Sequence, residues 1–439
     1  MNNNKLTQAQ LDSFWMPFSG NRDFKKDPRL LVSAEGSYYT DADGRKIFDG
    51  LSGLWCAGLG HGHPKIVEAV TKQVKELDYA PSFQFSHPKA FEFAEKIVEF
   101  MPNGLNRVFY TNSGSGSVET ALKMARAYWH KKGMATKTKL IGRALGYHGV
   151  NFGGTAVGGI GGNRAIFGQG IEAYHLRHTI NETFVKGQPK NGRELANELL
   201  DLIALHSAAN IAALIVEPMA GSAGVIPPPV GYLDRLREIC DEHNILLIFD
   251  EVITAFGRVG SKTGSEEFGV TPDIITIAKQ MTNATIPMGA VVAKQEIYDT
   301  FMNNAGAGYL LEFPHGYTYS GHPIAAAAGL ATLEILKEEK LIERVKDMSP
   351  YFEEKVHSLK SCKHIIDIRN YGFAAGFTLA SAPGEPALRP YLVAMKMWKK
   401  GFYVRYGGAT IQLGLPFATT KEEIDTLISA LGETFDEID

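Results

Sequence analysis

The sequence has few cysteines, little net charge and no long hydrophobic run. Its three cysteines, Cys56, Cys240 and Cys362, follow neither a metal-binding nor a disulfide-like spacing, so we predict no metal site. The formal net charge is only −3, which gives no electrostatic reason to expect a nucleic acid or an anionic membrane as a partner. No stretch approaches the roughly 18 apolar residues of a membrane helix, and the first residues do not resemble a signal peptide. We therefore expect a cytoplasmic protein with a small-molecule ligand.

The 439 residues are enough for two or three domains. Strand-like pieces around a turn at 41–44 predict an N-terminal arm with a small hairpin. Further along, apolar strands alternate with helical patterns, which predicts an α/β domain around a mainly parallel sheet. These strands are expected at 108–111, 211–216, 245–249, 274–278 and 289–293. We predict a large domain at 59–321 and a smaller α/β domain built from the N-terminal segment 1–58 and the C-terminal segment 322–439.

Two chemically informative residues stand directly after predicted strands. The run 245–249 leads into Asp250, and the run 274–278 leads into Lys279. Ligands of open α/β sheets bind at the carboxyl ends of the strands, so we expect both side chains in one crevice. Pyridoxal phosphate needs such a pair: a lysine that holds it as a Schiff base and an acid that keeps its pyridine nitrogen protonated. The spacing alone fits a structural ion pair equally well.

A turn rich in glycine and serine joins a predicted strand to a predicted helix near residues 112–117. Apolar residues then recur at helical spacing, at Val118, Ala121, Leu122, Ala125 and Trp129. Gly114 and Ser115 thus lie at a helix N-terminus, where unpaired N–H groups and the helix dipole favour a phosphate. A simple helix cap explains the same residues. The glycines do not follow a G-x-G-x-x-G spacing, which disfavours a nicotinamide dehydrogenase.

Tyr147 and His148 lie between two glycines, Gly146 and Gly149. The glycines allow a flat ligand to approach closely, and Tyr147 is a candidate to stack on such a ligand. A buried tyrosine beside a structural histidine is the alternative interpretation.

Together these motifs occur in a recognisable order. They are Asn-Ser-Gly-Ser at 112–115, Gly-Tyr-His-Gly at 146–149, Val-Glu-Pro at 216–218, Asp-Glu-Val-Ile-Thr at 250–254, Phe-Gly-Arg at 256–258, Ala-Lys at 278–279 and Tyr-Thr-Tyr-Ser-Gly-His-Pro at 317–323. Over essentially the whole chain they resemble the class III aminotransferases, which use pyridoxal phosphate. Trp-Met-Pro-Phe at 15–18, the glycine-rich stretch 149–163 and Val-Arg-Tyr-Gly-Gly at 404–408 are most similar to the omega-amino acid:pyruvate, or beta-alanine:pyruvate, branch.

The resemblance implies a fold type I transferase whose large domain binds the cofactor. Lys279 would carry the cofactor and move the proton, Asp250 would hold the pyridine nitrogen, and Val252 would pack on the ring face opposite Tyr147. The cofactor-binding set is Ser113, Gly114, Ser115, Tyr147, His148, Glu217, Asp250, Val252, Lys279, Tyr317 and Thr318. In such enzymes Thr318 reaches the phosphate from the other subunit, which implies a homodimer, or a dimer of dimers, with shared active sites.

The implied activity moves an amino group from an amine donor to a keto acid, pyruvate. Arg405 is the candidate that binds the acceptor's carboxylate and moves aside for donors that lack one. Phe18, Trp55 and Phe83, together with Tyr147, are candidates to line the substrate pocket. The open alternatives are a taurine or gamma-aminobutyrate transaminase, a decarboxylase or aminomutase of the same fold, and a scaffold that only binds cofactor.

Two positions depart from the family pattern. Relatives usually carry an acidic residue where Gly116 stands and a glycine where Ala255 stands. Gly116 is expected to loosen the first turn of the phosphate-binding helix by about 1 kcal/mol relative to alanine. The chemistry is expected to survive both changes.

Overall fold

The computed structural model describes residues 6–168 and 170–439, whose helices and strands alternate along most of the chain. The strands are β1 (Leu31–Glu35), β2 (Tyr38–Asp41), β3 (Lys46–Asp49), β4 (Leu105–Thr111), β5 (Lys139–Arg143), β6 (Ala173–Leu176), β7 (Ile211–Val216), β8 (Leu246–Asp250), β9 (Ile274–Ile277), β10 (Gly289–Lys294), β11 (Ile365–Tyr371), β12 (Ala374–Leu379), β13 (Phe402–Tyr403), β14 (Arg405–Gly407) and β15 (Thr410–Gly414). The helices are α1 (Gln8–Ser13), α2 (Asn21–Phe24), α3 (Ser52–Trp55), α4 (Pro64–Glu76), α5 (Pro88–Phe100), α6 (Gly114–Lys131), α7 (Phe152–Val157), α8 (Gly192–Ala196), α9 (Glu198–His206), α10 (Tyr232–Glu242), α11 (Gly264–Glu267), α12 (Gln295–Asn303), α13 (Pro323–Glu338), α14 (Leu341–His357), α15 (Leu388–Lys399) and α16 (Lys421–Asp436).

A seven-stranded sheet forms the centre of the fold, with the strand order β4-β10-β9-β8-β7-β5-β6. The neighbours from β9 to β6 are parallel, whereas β10 runs antiparallel to both β9 and β4. Every residue of β7, β8 and β9 is buried, which suits strands covered by helices on both faces. The predicted α/β class with a mainly parallel sheet is therefore confirmed.

Two four-stranded sheets lie outside the central one. One has the order β1-β2-β3-β13 and the other the order β11-β12-β15-β14. The first sheet joins distant parts of the chain, because β13 pairs in parallel with β3 and aligns Phe402 with Phe48. The N-terminal and C-terminal segments thus share a sheet, as expected for a small domain built from both. The division at 58/59 and 321/322 stays a prediction.

Helix packing depends on close approach at small residues. Six alanines and glycines of α13 are buried, and this helix packs against α4 and α5. A Cβ added at Gly329 would lie 2.1 Å from Cζ of Phe93, which is itself fully buried in α5. α6 packs its apolar face, which includes Val118, Ala121 and Trp129, over the central sheet. The helical spacing predicted after residue 117 is therefore observed.

The strand predictions differ from the structure at β8, β5 and β6. β8 is shifted by one residue, so Asp250 belongs to the strand instead of following it. β5 and β6 were not among the predicted strands, although they extend the sheet beyond β7.

In the part of the chain that the structure describes, none of the helices is both long enough and apolar enough to cross a lipid bilayer.

Candidate active site

Asp250 is the last residue of β8 and is held on both carboxylate oxygens. Its Oδ1 accepts hydrogen bonds from the Thr276 hydroxyl at 3.1 Å and from the Val252 N–H at 3.2 Å. Its Oδ2 lies 2.8 Å from Nδ1 of His148. The side chain is buried, so these bonds are little screened by water. Asp250 therefore presents a fixed negative charge at the carboxyl edge of the sheet.

Lys279 follows β9, the parallel neighbour of β8, so both residues lie at the same edge. Its backbone has a φ of 49°, in the left-handed region that lysine rarely adopts. Burial lowers the pKa of the Lys279 amine, and the nearby Asp250 opposes that change. A lowered pKa leaves more of the amine neutral and able to attack a carbonyl carbon.

The turn that contains Lys279 is fastened to the N-terminal segment by two amide side chains. Oε1 of Gln280 accepts the Gly58 N–H at 2.6 Å. Asn283 accepts the Leu59 N–H at 3.0 Å and donates to the Gly60 carbonyl at 2.7 Å. These bonds explain how the strained backbone of Lys279 is maintained.

The N-terminus of α6 faces the same region and has the shape of a phosphate cradle. The Ser113 hydroxyl caps the helix by accepting the Gly116 N–H at 3.1 Å. A Cβ at Gly114 would lie 3.0 Å from Cγ1 of Val252, so a larger residue would fill this space. The Ser115 hydroxyl accepts the Val150 N–H at 3.1 Å, which leaves its own proton free to donate. The first N–H groups of a helix have no acceptor within the helix and suit a phosphate.

Tyr147 and His148 lie on the loop after β5. The Tyr147 N–H donates to Oε1 of the buried Glu217 at 2.9 Å, while Oε2 accepts the Gly221 N–H at 3.1 Å. Burial raises the pKa of the Glu217 carboxyl. Nε2 of His148 is buried and has no hydrogen-bond partner among the described residues. Glu217 thus fixes the backbone of Tyr147, and His148 fixes Asp250.

Arg405 enters the site from β14, where it pairs with Gln412 of β15. Its side chain is half-buried, and no carboxylate lies within 4.0 Å of it in residues 6–168 and 170–439. Its charge opposes the rise that burial causes in the pKa of Tyr147, and it opposes protonation of the Lys279 amine. The charge of Arg405 therefore acts on both residues.

The remaining predicted residues, Tyr317, Thr318 and three aromatic residues, differ in how far they are exposed. The Tyr317 hydroxyl donates to the Gly116 carbonyl at 3.2 Å, whereas the Thr318 side chain is exposed. Phe18 and Phe83 are 72% and 54% exposed. Trp55 is only 3% exposed and packs against Gly414. The proposed substrate-binding roles of these three aromatic residues stay predictions.

The residues fit pyridoxal phosphate. A buried amine, a fixed carboxylate and a capped helix N-terminus lie at the same edge of the central sheet, and the N–H groups of Val252 and Tyr147 are held by Asp250 and Glu217. Gly116 leaves the cradle intact, because its N–H is capped by Ser113 and a Cβ there would make only ordinary contacts at 3.5 Å. A separate cavity of about 290 Å³ lies beside the turn after Lys279 and is lined by Cys56, His61 and Asn283, among others.

Sequence reasoning missed several residues that hold the site together. Thr276, Gln280 and Asn283 bind Asp250 or fasten the Lys279 turn. The available signal was Thr276, a single polar residue inside the otherwise apolar strand β9. The amide side chains gave no signal, because their partners lie more than 200 residues earlier in the chain.

Comparisons with known proteins give one consistent result. A family model described as "Aminotransferase class-III" matches residues 21–435. The chain is 57% identical to the beta-alanine–pyruvate aminotransferase of Pseudomonas aeruginosa, over 98% of this chain and 97% of that protein. It is 54% identical to the omega-amino acid–pyruvate aminotransferase of Pseudomonas putida, over 98% and 97%. An amine transaminase from an uncultivated Pseudomonas species, solved in its PLP-bound form, superimposes with a TM-score of 0.88 at 36% identity, covering 96% of this chain and 98% of the other.

Proposed function

Because this chain belongs to the class III aminotransferases, which are pyridoxal phosphate enzymes, we propose that it is an omega-transaminase. It moves the amino group of an omega-amino acid such as beta-alanine, or of a primary amine, to pyruvate. The products are an aldehyde or ketone and alanine. The observation that carries the choice of a keto-acid acceptor is Arg405, a half-buried guanidinium whose charge acts on the Lys279 amine and that lacks a carboxylate partner among the described residues.

Lys279, Asp250 and the start of α6 would hold the cofactor. When bound, pyridoxal phosphate supplies a carbonyl that exchanges for the substrate's amino group and an electron-withdrawing ring that acidifies the neighbouring C–H bond. Nζ of Lys279 would hold the cofactor, and its free amine would move the proton between the substrate carbon that bears the amino group and the cofactor carbon that accepts that group. Its lowered pKa favours the neutral amine that this proton transfer needs.

Asp250 would hold a negative charge against the ring nitrogen and so keep a proton there. His148 and Thr276 orient its two oxygens, which prevents the carboxylate from rotating away. Val252 and Tyr147 would enclose the ring on its two faces, and Gly114 and Ser115 would bind the phosphate through N–H groups and a hydroxyl.

Arg405 would allow one site to bind the substrates of both half-reactions, of which only the acceptor carries a carboxylate at its reacting end. The acceptor pyruvate carries a carboxylate at its reacting end, and a guanidinium binds that group with two parallel hydrogen bonds. A donor amine has no carboxylate there. Because no carboxylate of the described chain holds the guanidinium, it can turn aside for the donor without breaking an ion pair.

An amine-donor panel tests this assignment. Purified protein, saturated with pyridoxal phosphate, is assayed with beta-alanine, gamma-aminobutyrate, taurine and a carboxylate-free amine, each against pyruvate and 2-oxoglutarate. We expect alanine to form from pyruvate with beta-alanine or the amine, with little transfer to 2-oxoglutarate. A preference for 2-oxoglutarate, or carbon dioxide release in place of alanine formation, would overturn the proposal.

We propose that the enzyme is a homodimer, or a dimer of dimers, in which Thr318 of each subunit completes the other subunit's phosphate site. Large apolar side chains are exposed along the surface near this segment and on the N-terminal arm: Trp15, Phe83, Phe85, Tyr309, Leu311 and Tyr319. So much exposed aromatic surface is characteristic of a protein interface. Tyr317 anchors the segment to α6 of its own chain, which leaves the exposed Thr318 available to a partner.

Mixed dimers test the sharing of sites. Lys279→Ala and Thr318→Ala chains are combined, separated as heterodimers by different tags, and compared with each homodimer. If Thr318 acts on the partner's site, one site of the heterodimer has both native residues and binds cofactor with wild-type affinity. If Thr318 acts within its own chain, the site that keeps Lys279 lacks Thr318 and its cofactor binding stays impaired. Sedimentation of the wild type checks that a dimer exists at all.

We further propose a cytoplasmic location. The three cysteines are free thiols, and Cys56 lies near enough to Lys279 to interact with it electrostatically. A thiol at this position is best preserved in a reducing compartment. Fractionation of the source cells, with the activity followed in each fraction, tests the location.

A further inference from the structure

Glu251 is a fully buried carboxylate whose function the proposed reaction does not assign. It follows Asp250, and its N–H donates to the Thr276 carbonyl at 2.9 Å, which extends the ladder between β8 and β9 by one residue. Its carboxylate accepts the Thr254 hydroxyl at 2.8 Å, the Gly264 N–H at 2.5 Å and the Ser265 N–H at 2.7 Å. The side chain therefore closes the loop 251–265 at its base.

No cation offsets the charge of Glu251 within ion-pair distance in the described residues. A charged neighbour that affects it is Asp250, which carries the same sign. Burial raises the pKa of the Glu251 carboxyl to about 7. A buried charge without a counter-ion is costly, and an apolar residue would fill the space at lower cost. Stability alone does not account for a carboxylate here.

The loop that Glu251 closes connects the cofactor site with the C-terminal sheet. At its start, Val252 donates its N–H to Asp250 and its side chain reaches the space beside Gly114. In its middle, the buried Arg258 donates to the Leu415 carbonyl at 2.5 Å and to the Phe373 carbonyl at 3.3 Å. A shift of this loop would therefore move Val252 and the contacts to the C-terminal sheet together.

We propose that Glu251 is a positioning residue for the cofactor: by closing the loop 251–265 it fixes Val252 and Asp250 in the orientation that holds the ring. This inference rests on the proposed use of pyridoxal phosphate. Glu251 is fully buried and acts through its two neighbours. Both the acceptor geometry and the length of the side chain matter, because three donors from two parts of the loop converge on one carboxylate.

Two substitutions separate geometry from charge. Glu251→Gln keeps the length but turns an N–H₂ group toward donors, and Glu251→Asp keeps the charge but is too short to reach all three. Both should weaken pyridoxal phosphate binding on the order of tenfold or more, and both should reduce the induced circular dichroism of the bound cofactor. Glu266→Gln is the matched control, because Glu266 directly follows the loop and accepts the N–H of Lys262 within it, but lies on the exposed surface. It should change neither quantity.

A milder variant keeps the test decisive if both Glu251 variants fail to fold. Thr254→Val removes one of the three donors without changing the side-chain shape, and it should weaken binding about two- to fivefold with the same loss of induced dichroism. Unchanged affinity and dichroism in a folded Glu251 or Thr254 variant would overturn the proposal, even if its melting temperature fell. A wild-type protein that does not bind pyridoxal phosphate would instead overturn the proposed function.

Discussion

Replacing Arg405 with alanine should separate the two halves of the reaction. The guanidinium is half-buried and has no carboxylate partner in the described chain, so its removal breaks no ion pair of the fold. The half-reaction with pyruvate loses its carboxylate-binding group. The half-reaction with a carboxylate-free amine loses nothing that it uses.

The magnitude follows from the burial of the side chain. Exposed ion pairs contribute less than about 1 kcal/mol, whereas losing one partner of a fully buried pair costs roughly 2 to 5 kcal/mol. A half-buried pair with two parallel hydrogen bonds lies between these limits, at about 2 to 3 kcal/mol. At about 1.4 kcal/mol per tenfold change, kcat/KM for pyruvate should fall roughly 30- to 140-fold. Arg405→Lys should fall between alanine and the wild type, because lysine keeps the charge but lacks the planar fork.

Single-turnover absorbance of the bound cofactor measures each half-reaction separately. Lys399→Ala serves as the control, because Lys399 is an exposed cation on α15 in the same part of the chain. It should change neither half-reaction by more than about twofold. Equal losses in both half-reactions of Arg405→Ala would refute the reasoning, and would mean that Arg405 supports the fold or a subunit contact.

Four further outcomes are expected. Lys279→Ala should still bind pyridoxal phosphate but complete no turnover, measured by alanine formation, and measurable turnover would rule out its role. Asp250→Asn should retain the cofactor while kcat falls by orders of magnitude in steady-state assays, since the ring nitrogen loses its charged partner; near-normal kcat would contradict this. Gly329→Ala should lower the free energy of unfolding by about 1 to 3 kcal/mol in urea titrations, because its Cβ would lie 2.1 Å from Phe93, with the cofactor spectrum unchanged. The raised pKa of Glu251, about 7 against an ordinary 4.5, means that the folded state holds a proton longer than the unfolded state. As the pH rises from 4.5 to 7, the free energy of unfolding of the wild type should therefore fall by about 3 kcal/mol relative to that of Glu251→Gln. If the free energies of the two proteins instead change in parallel with pH, Glu251 does not titrate in this range.

The sequence predicted the parts of the fold that depend on local pattern. β7 was expected at 211–216 and is observed there, because six consecutive apolar residues leave little choice for a buried strand. The direction of β10 was not predictable, since an apolar run reads the same in a parallel and an antiparallel strand. β5 was missed because Lys139 and Arg143 at its two ends interrupt the apolar pattern.

The candidate site shows the same limit. Asp250 and Lys279 were identifiable because each stands next to a strand that local pattern reveals. Their supporting contacts were not, since the bond from His148 to Asp250 spans 102 residues and the bond from Tyr147 to Glu217 spans 70. Such pairs depend on strand order, which single-sequence patterns do not specify. The burial of Trp55 likewise results from packing against Gly414, far along the chain.

The parallel pairing of β3 with β13 has a consequence for the order in which the protein is made. Phe48 and Phe402 are neighbours in the sheet, and Tyr403 pairs with Asp49. At about 5 to 20 residues per second, a ribosome needs roughly 20 to 70 s to synthesise the chain between them. During that time the hairpin of β1, β2 and β3 has an unpaired edge, and Arg405, which lies two residues after β13, has not yet been made. The substrate site can therefore form only at a late stage of synthesis. Until then β3 is an unpaired edge strand, which a chaperone can bind and protect from pairing with other chains.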